Sequence, residues 1–152
     1  MRLVQVTPVY VPPTVTAIRM TLSANQSIPS GGWTYVDVDG VTYDTLNEFE
    51  PGFRRWRCSQ TGKYLVCLGI MFEDIPDAVH LRGAIFVSGV FHTPYALATS
   101  GVSGQFKLSS SDIISVTADQ TVNFTCHHNS GVNKDIKGGF PWETHLTIHR
   151  IS

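Results

Sequence analysis

The residues most able to do chemistry are six histidines and a run of carboxylates. His127-His128, His145 and His149 invite a metal-site reading. In an extended chain His145 and His149 share a face, but four residues at about 3.3 Å each set them roughly 13 Å apart. They cannot bind one ion together. A metal site would have to join His127 or His128 to His145 across strands, or use one histidine from each of three subunits. Histidines solvated or hydrogen-bonded on a β surface are the simpler expectation. Asp37, Asp39, Asp44, Glu48 and Glu50 gather oxygen ligands of the kind calcium needs, yet their spacing fits no calcium loop. Asp39 before Gly40 reads as a turn former. Neither metal nor cofactor is therefore expected, with calcium or an ion on a threefold axis as the alternatives.

Phe53-Arg54-Arg55-Trp56-Arg57 is the one concentrated positive feature. Strand alternation would put Arg55 and Arg57 on the face opposite Arg54 and Trp56. These four residues are the candidate partner contact, toward an anionic glycan, a nucleic acid or an acidic subunit surface. The plainer account is an edge strand kept soluble by its charge, with Trp56 packed inward or at a subunit contact. A formal net charge of -1 supplies no steering toward nucleic acid, so a protein contact is favoured and no nucleic-acid partner is expected. Catalytic signatures are missing: no nucleophile elbow, metalloprotease motif, P-loop or dinucleotide fingerprint occurs. Cys58, Cys67 and Cys126 would be nucleophiles only if exposed in electropositive surroundings. Cys67 and Cys126 sit in alternating segments, where a small core residue is the default. No enzymatic activity is expected.

A chain of 152 residues suits one domain, and its 42% hydrophobic content can fill a core without disulfide or metal staples. Only 15% of residues are charged, so much of the surface must be neutral. The N-terminus lacks the features of a signal peptide, and no apolar run approaches the roughly 20 residues of a membrane span. With three cysteines at no metal-ligand spacing, these features imply synthesis in a reducing cytoplasm and no membrane insertion. In that setting the sequons at Asn25 and Asn123 are chance matches.

The elements that must position these groups are strands. Residues 1–13 read as an extended arm: Val4, Val6, Val9, Tyr10 and Val11 would make contacts, while Pro8, Pro12 and Pro13 prevent central-strand pairing. Residues 14–152 form the domain. Thr16, Ile18, Met20 and Leu22 alternate on one face, as do Tyr64, Val66, Leu68, Ile70 and Phe72, and then Val79, Leu81, Gly83, Ile85 and Val87. Further strands are expected at 33–38, 53–58, 105–108, 113–117, 121–128 and 143–151, with Asp39-Gly40 as a tight hairpin turn. No helix is expected. Residues 91–104 and 130–141, rich in Gly, Ser and Pro, read as loops that would lie distally. Short strands bounded by turn residues make a two-layer sandwich or jelly roll.

Several motifs in order carry a resemblance: Asn25-Gln26-Ser27-Ile28-Pro29, Trp33-Thr34, Tyr43-Asp44, Thr61-Gly62-Lys63-Tyr64-Leu65-Val66, and 122–131 ending in Asn129-Ser130-Gly131. In these the chain resembles the C1q-like branch of the C1q/TNF-like jelly-roll superfamily, most of all its members in tailed bacteriophages. The resemblance spans about residue 14 to the C-terminus. It implies a jelly roll of about ten antiparallel strands packed as a homotrimer. It further implies a virion-surface protein: a capsid decoration or head-fibre subunit, made in the host cytoplasm, whose arm grips the major capsid protein or another virion protein. The alternative is a receptor-binding module that holds a host-surface glycan, and the third a secreted C1q-like binding protein.

Overall fold

The computed structural model describes residues 14–98 and 102–152. Among them it has no helix and thirteen strands: β1 (Ala17–Thr21), β2 (Gln26–Ile28), β3 (Thr34–Tyr35), β4 (Gly40–Asp44), β5 (Phe49–Glu50), β6 (Arg55–Arg57), β7 (Gly62–Ile75), β8 (His80–Val87), β9 (Val90–Ala98), β10 (Gly104–Val116), β11 (Thr121–His128), β12 (Lys134–Ile136) and β13 (His145–Arg150). The first sheet runs β2-β12-β7-β13-β1-β4, with β10 also on β7. The second runs β5-β6-β11-β8-β9, with β3 also on β11. Every pairing is antiparallel.

A strand has two flanks, so this pairing fixes the layout. On β7, β10 takes one flank, while β13 and then β12 share the other, at Tyr64–Gly69 and Phe72. On β11, β8 takes one flank, while β6 and β3 share the other, at Thr121–Val122 and Thr125–Cys126. The expected alternation holds along β1, β7 and β8, where all the inward side chains named above are buried. Between the sheets, the Trp56 ring of β6 meets Tyr64 of β7 edge-on at 5.0 Å, and Phe72 and Phe124 are fully buried.

Three expectations need correction. Residues 105–108 and 113–117 are not separate strands: β10 runs unbroken, with Ser109, Ser110 and Ser111 opposite Gly69, Leu68 and Cys67. Serine is a weak strand former, but continuous pairing to a long buried neighbour overrides that preference. Asp39-Gly40 does not close a hairpin. β3 pairs in the second sheet and β4 pairs with β1 in the first, so residues 36–39 cross between layers. The Asp39 carboxylate instead accepts from the Ser23 amide at 2.8 Å and its hydroxyl at 2.5 Å. The two stretches read as loops each hold strand: residues 91–98 belong to β9, and Lys134–Ile136 within 130–141 form β12. Among the described residues β9 ends its sheet, a position where a proline's missing amide is tolerated.

Glu48 is a buried polar group that is costly to disturb. Only 5% exposed, its carboxylate accepts from Trp56 Nε1 at 3.0 Å and from the Ser59 amide at 2.9 Å, and bonds the Ser59 hydroxyl as well. Glu48→Ala would leave the Trp56 and Ser59 donors unpaired and is expected to cost about 2–3 kcal/mol in urea-melt stability.

Candidate functional site

The structure separates the candidate ligands. His128 is a core residue: it is fully buried, with Nε2 at 2.9 Å from the Ile28 carbonyl and Nδ1 at 3.0 Å from Ser130 Oγ. His127 and His128 lie in the second sheet, His145 and His149 in the first, so no cross-strand pair joins them. The acidic residues are each engaged elsewhere. Asp37 pairs with Arg54, Asp39 holds Ser23, and Asp44 caps the Leu46 and Phe49 amides. Glu50 takes Arg55 Nε at 2.7 Å and Arg57 Nε at 2.5 Å, and those two guanidiniums hold its carboxyl below the usual range. Among the described residues no group of three or more potential ligands could hold a metal ion.

The basic stretch divides by geometry. Arg55 and Arg57 do lie opposite Trp56, which is completely buried. Arg54 is not on the strand: it occupies the preceding turn with φ 53°, a left-handed conformation, and reaches Asp37 at 2.5 Å. Nor is β6 an edge, since β5 covers its outer flank. Cys58 and Cys126 are buried and Cys67 is half-buried. Burial raises all three thiols, Cys126 to about 12. The arm and its residues Val4 to Pro13 lie outside the described residues.

Two broad faces remain. The first is the outer face of the first sheet. Cross-strand register lines up Tyr43, Arg19, Thr147, Cys67 and Ser111 in one row and Ala17, His149, Leu65 and Ile113 in the next. Ile113 is 56% exposed and Val41, Tyr43 and Leu65 are exposed as well. Arg19 is the one permanent charge in these rows, and it turns aside to the Pro141 carbonyl, with Nη2 at 2.5 Å. The next row sets His145 over Gly69, where any added Cβ would meet the imidazole at 2.6 Å. The His145 Nδ1 is buried with no hydrogen-bond partner among the described residues. Burial first, and then the Arg19 and Lys107 charges, lower its pKa to about 4.

The second is the outer face of the other sheet, which is aromatic. Tyr35 meets Phe86 at 5.8 Å, Phe86 meets Phe91 at 5.4 Å, Phe91 meets Trp33 at 5.8 Å, and Trp33 meets His127 at 5.5 Å. Beside this belt, where β3 stops and β6 begins along β11, a cleft of about 350 Å³ opens. Tyr35, Asp37, Phe53, Arg54 and Asn123 line it together with Val36 and Gly52. Gln26 fixes its wall from behind, donating to the Tyr35 carbonyl at 2.8 Å and accepting from the Asp37 amide at 2.9 Å. Sequence reasoning missed Tyr35, Phe53 and Asn123 as site residues. A signal existed: Trp33 and Tyr35 share one parity while buried Val36 and Val38 hold the other, which turns both rings outward.

His145 generates a pH expectation. With its folded pKa below the ordinary imidazole value, the unfolded chain binds the extra proton between about pH 6.5 and 4. Stability is thus present above that window and lost as pH falls through it. The melting temperature is expected to drop from pH 7 to 4.5, and His145→Gln to flatten that slope. An unchanged slope would remove His145 as the cause.

No protein-family model matches the sequence, and no curated protein does. Solved structures do. Eiger TNF from S. frugiperda superposes with a TM-score of 0.63 at 12% identity, covering 91% of this chain and 92% of that one. Murine APRIL at pH 5.0 gives 0.67 at 12% identity, covering 91% of this chain and 100% of that one. Murine APRIL at pH 8.0 gives 0.66 at 14%, with the same coverage. The chain has the TNF-like jelly-roll fold.

Proposed function

We propose that the chain is a non-enzymatic, homotrimeric surface protein of a tailed-phage particle, a decoration or head-fibre subunit held on the capsid by residues 1–13. The observation that carries the self-association is the sparsely charged outer face of the first sheet, where Tyr43, Leu65 and Ile113 stand exposed among Thr147, Cys67 and Ser111 and the Arg19 guanidinium is held aside by the Pro141 carbonyl. An exposed apolar face rimmed by small polar side chains favours cover by another protein surface, and closed rotational symmetry lets copies of one chain provide it. The phage assignment is supported by the resemblance in the ordered motifs, whose residues have fixed duties. Asn25 bonds Glu73 at 3.1 Å and the Gly138 amide at 3.1 Å, and the Thr61 hydroxyl accepts from the Ala118 amide at 3.0 Å.

The cleft on the second sheet favours a second reading, a receptor-binding module that holds a host-surface glycan. It lies on the layer away from the first sheet's outer face, so both surfaces can be used at once.

Light scattering at micromolar concentration is expected to give the mass of three chains. Ile113→Asp, which sets a carboxylate among the exposed apolar residues of this face, is expected to give monomers with an unchanged far-ultraviolet spectrum. A monomeric wild-type protein would remove the trimer. Deleting residues 1–13 is expected to abolish attachment to particles while leaving the trimer intact, and wild-type attachment by the shortened chain would remove the role of the arm. A cryo-EM map of the particle separates the two readings: density on the head lattice favours decoration, density at the tail tip the receptor-binding module.

A further inference from the structure

We infer that the cleft between β3 and β6 is a binding site for a neutral pyranose ring of a glycan; this rests on, and gives a location to, the receptor-binding reading. The backbone creates the opening. β3 and β6 share one flank of β11 but do not meet, and between their pairings stands Asn123 on the outward parity. The Val36 amide still bonds the Phe124 carbonyl at 3.0 Å, so the floor is tied down and not frayed.

The lining has the composition that a sugar demands. A pyranose offers apolar C–H faces and a rim of hydroxyls, so it is held by aromatic rings together with a few convergent polar groups. Tyr35 and Phe53 supply the rings, and Phe53 is 67% exposed. The Arg55 guanidinium lies 4.5 Å from the Phe53 ring centroid and braces it. At the floor, the Asn123 side-chain amide has no partner among the described residues, leaving a donor and an acceptor together for vicinal hydroxyls. Asp37 and Arg54 add a fixed acceptor and donor at half-exposed positions. Their charges cancel, and Arg55 and Arg57, which share the single Glu50 carboxylate, stand outside the lining, so the lining itself carries no net charge. A volume of about 350 Å³ falls at the low end of the roughly 300–1,000 Å³ of small-ligand sites, matching one or two sugar rings better than a peptide. Trp33, two residues from Tyr35 on the same face, offers a further stacking position for the next sugar unit.

The test uses the full chain, an array of neutral and acidic oligosaccharides, and free methyl hexopyranosides in saturation-transfer NMR. Phe53→Ala and Asn123→Ala are compared with the wild type after melting curves and oligomeric mass confirm that both variants fold. Wild-type binding to a neutral glycan, competed by a free methyl hexopyranoside and weakened at least tenfold in both variants, is the expected result. Binding undiminished in both variants would overturn the cleft and leave the receptor-binding reading standing. Binding confined to acidic glycans would overturn the neutral-sugar assignment. Binding to no glycan would overturn the site and the glycan reading together.

Discussion

Most of the first sheet is organised by β7. Its alternation puts Tyr64, Val66, Leu68, Ile70 and Phe72 into the core, and its backbone is paired along both flanks. Buried amides and carbonyls that lose water must be paired, so a strand this long dictates where β10, β13 and β12 lie. Once β13 is placed, β1 follows against it and β4 against β1. The second sheet then closes over the row of side chains that β7 presents.

Side-chain hydrogen bonds fix what the strands leave open. The chain changes sheets between residues 36 and 39, outside the strand ladders, with the Val36 amide on the Phe124 carbonyl and the Asp39 amide on the Thr21 carbonyl. Gln26 supplies two bonds there and Asp39 two more at Ser23. On the far side the chain passes so close that Gly138 has no substitute: a Cβ would sit 2.7 Å from the Leu22 carbonyl. Glu48 and His128 perform the same service inside the core, each satisfying several groups at once. The aromatic cleft is a product of this arrangement, since the crossing that takes the chain away from β11 after Val36 leaves Asn123 uncovered.

The sequence made the layers legible and the connections much less so. Period-two burial along β1, β7 and β8 was readable because each of these strands has one wet and one dry face. The continuity of β10 was not, since Ser109-Ser110-Ser111 has the composition of a turn and only its long-range partner makes it strand. Asp39-Gly40 misled for a related reason: a local turn signal cannot report which sheet each flanking strand joins. Of the candidate contacts, Trp56 was correctly offered an inward place, while Arg55 and Arg57 proved to be occupied by Glu50, a residue that local spacing does not mark as their partner. The cleft was hidden altogether, because Tyr35, Phe53 and Asn123 are brought together only by two strands sharing one flank.

The state of the three thiols has a consequence for durability. Cys58 and Cys126 point into the core, while Cys67 stands in the outward rows of the other sheet, so the inner thiols cannot reach the outer one without unfolding. All three resist ionisation, and the thiolate is the reactive species in exchange and oxidation. No disulfide joins them. The described fold therefore holds together by packing and hydrogen bonding, and a reducing agent has no cross-link to remove from it.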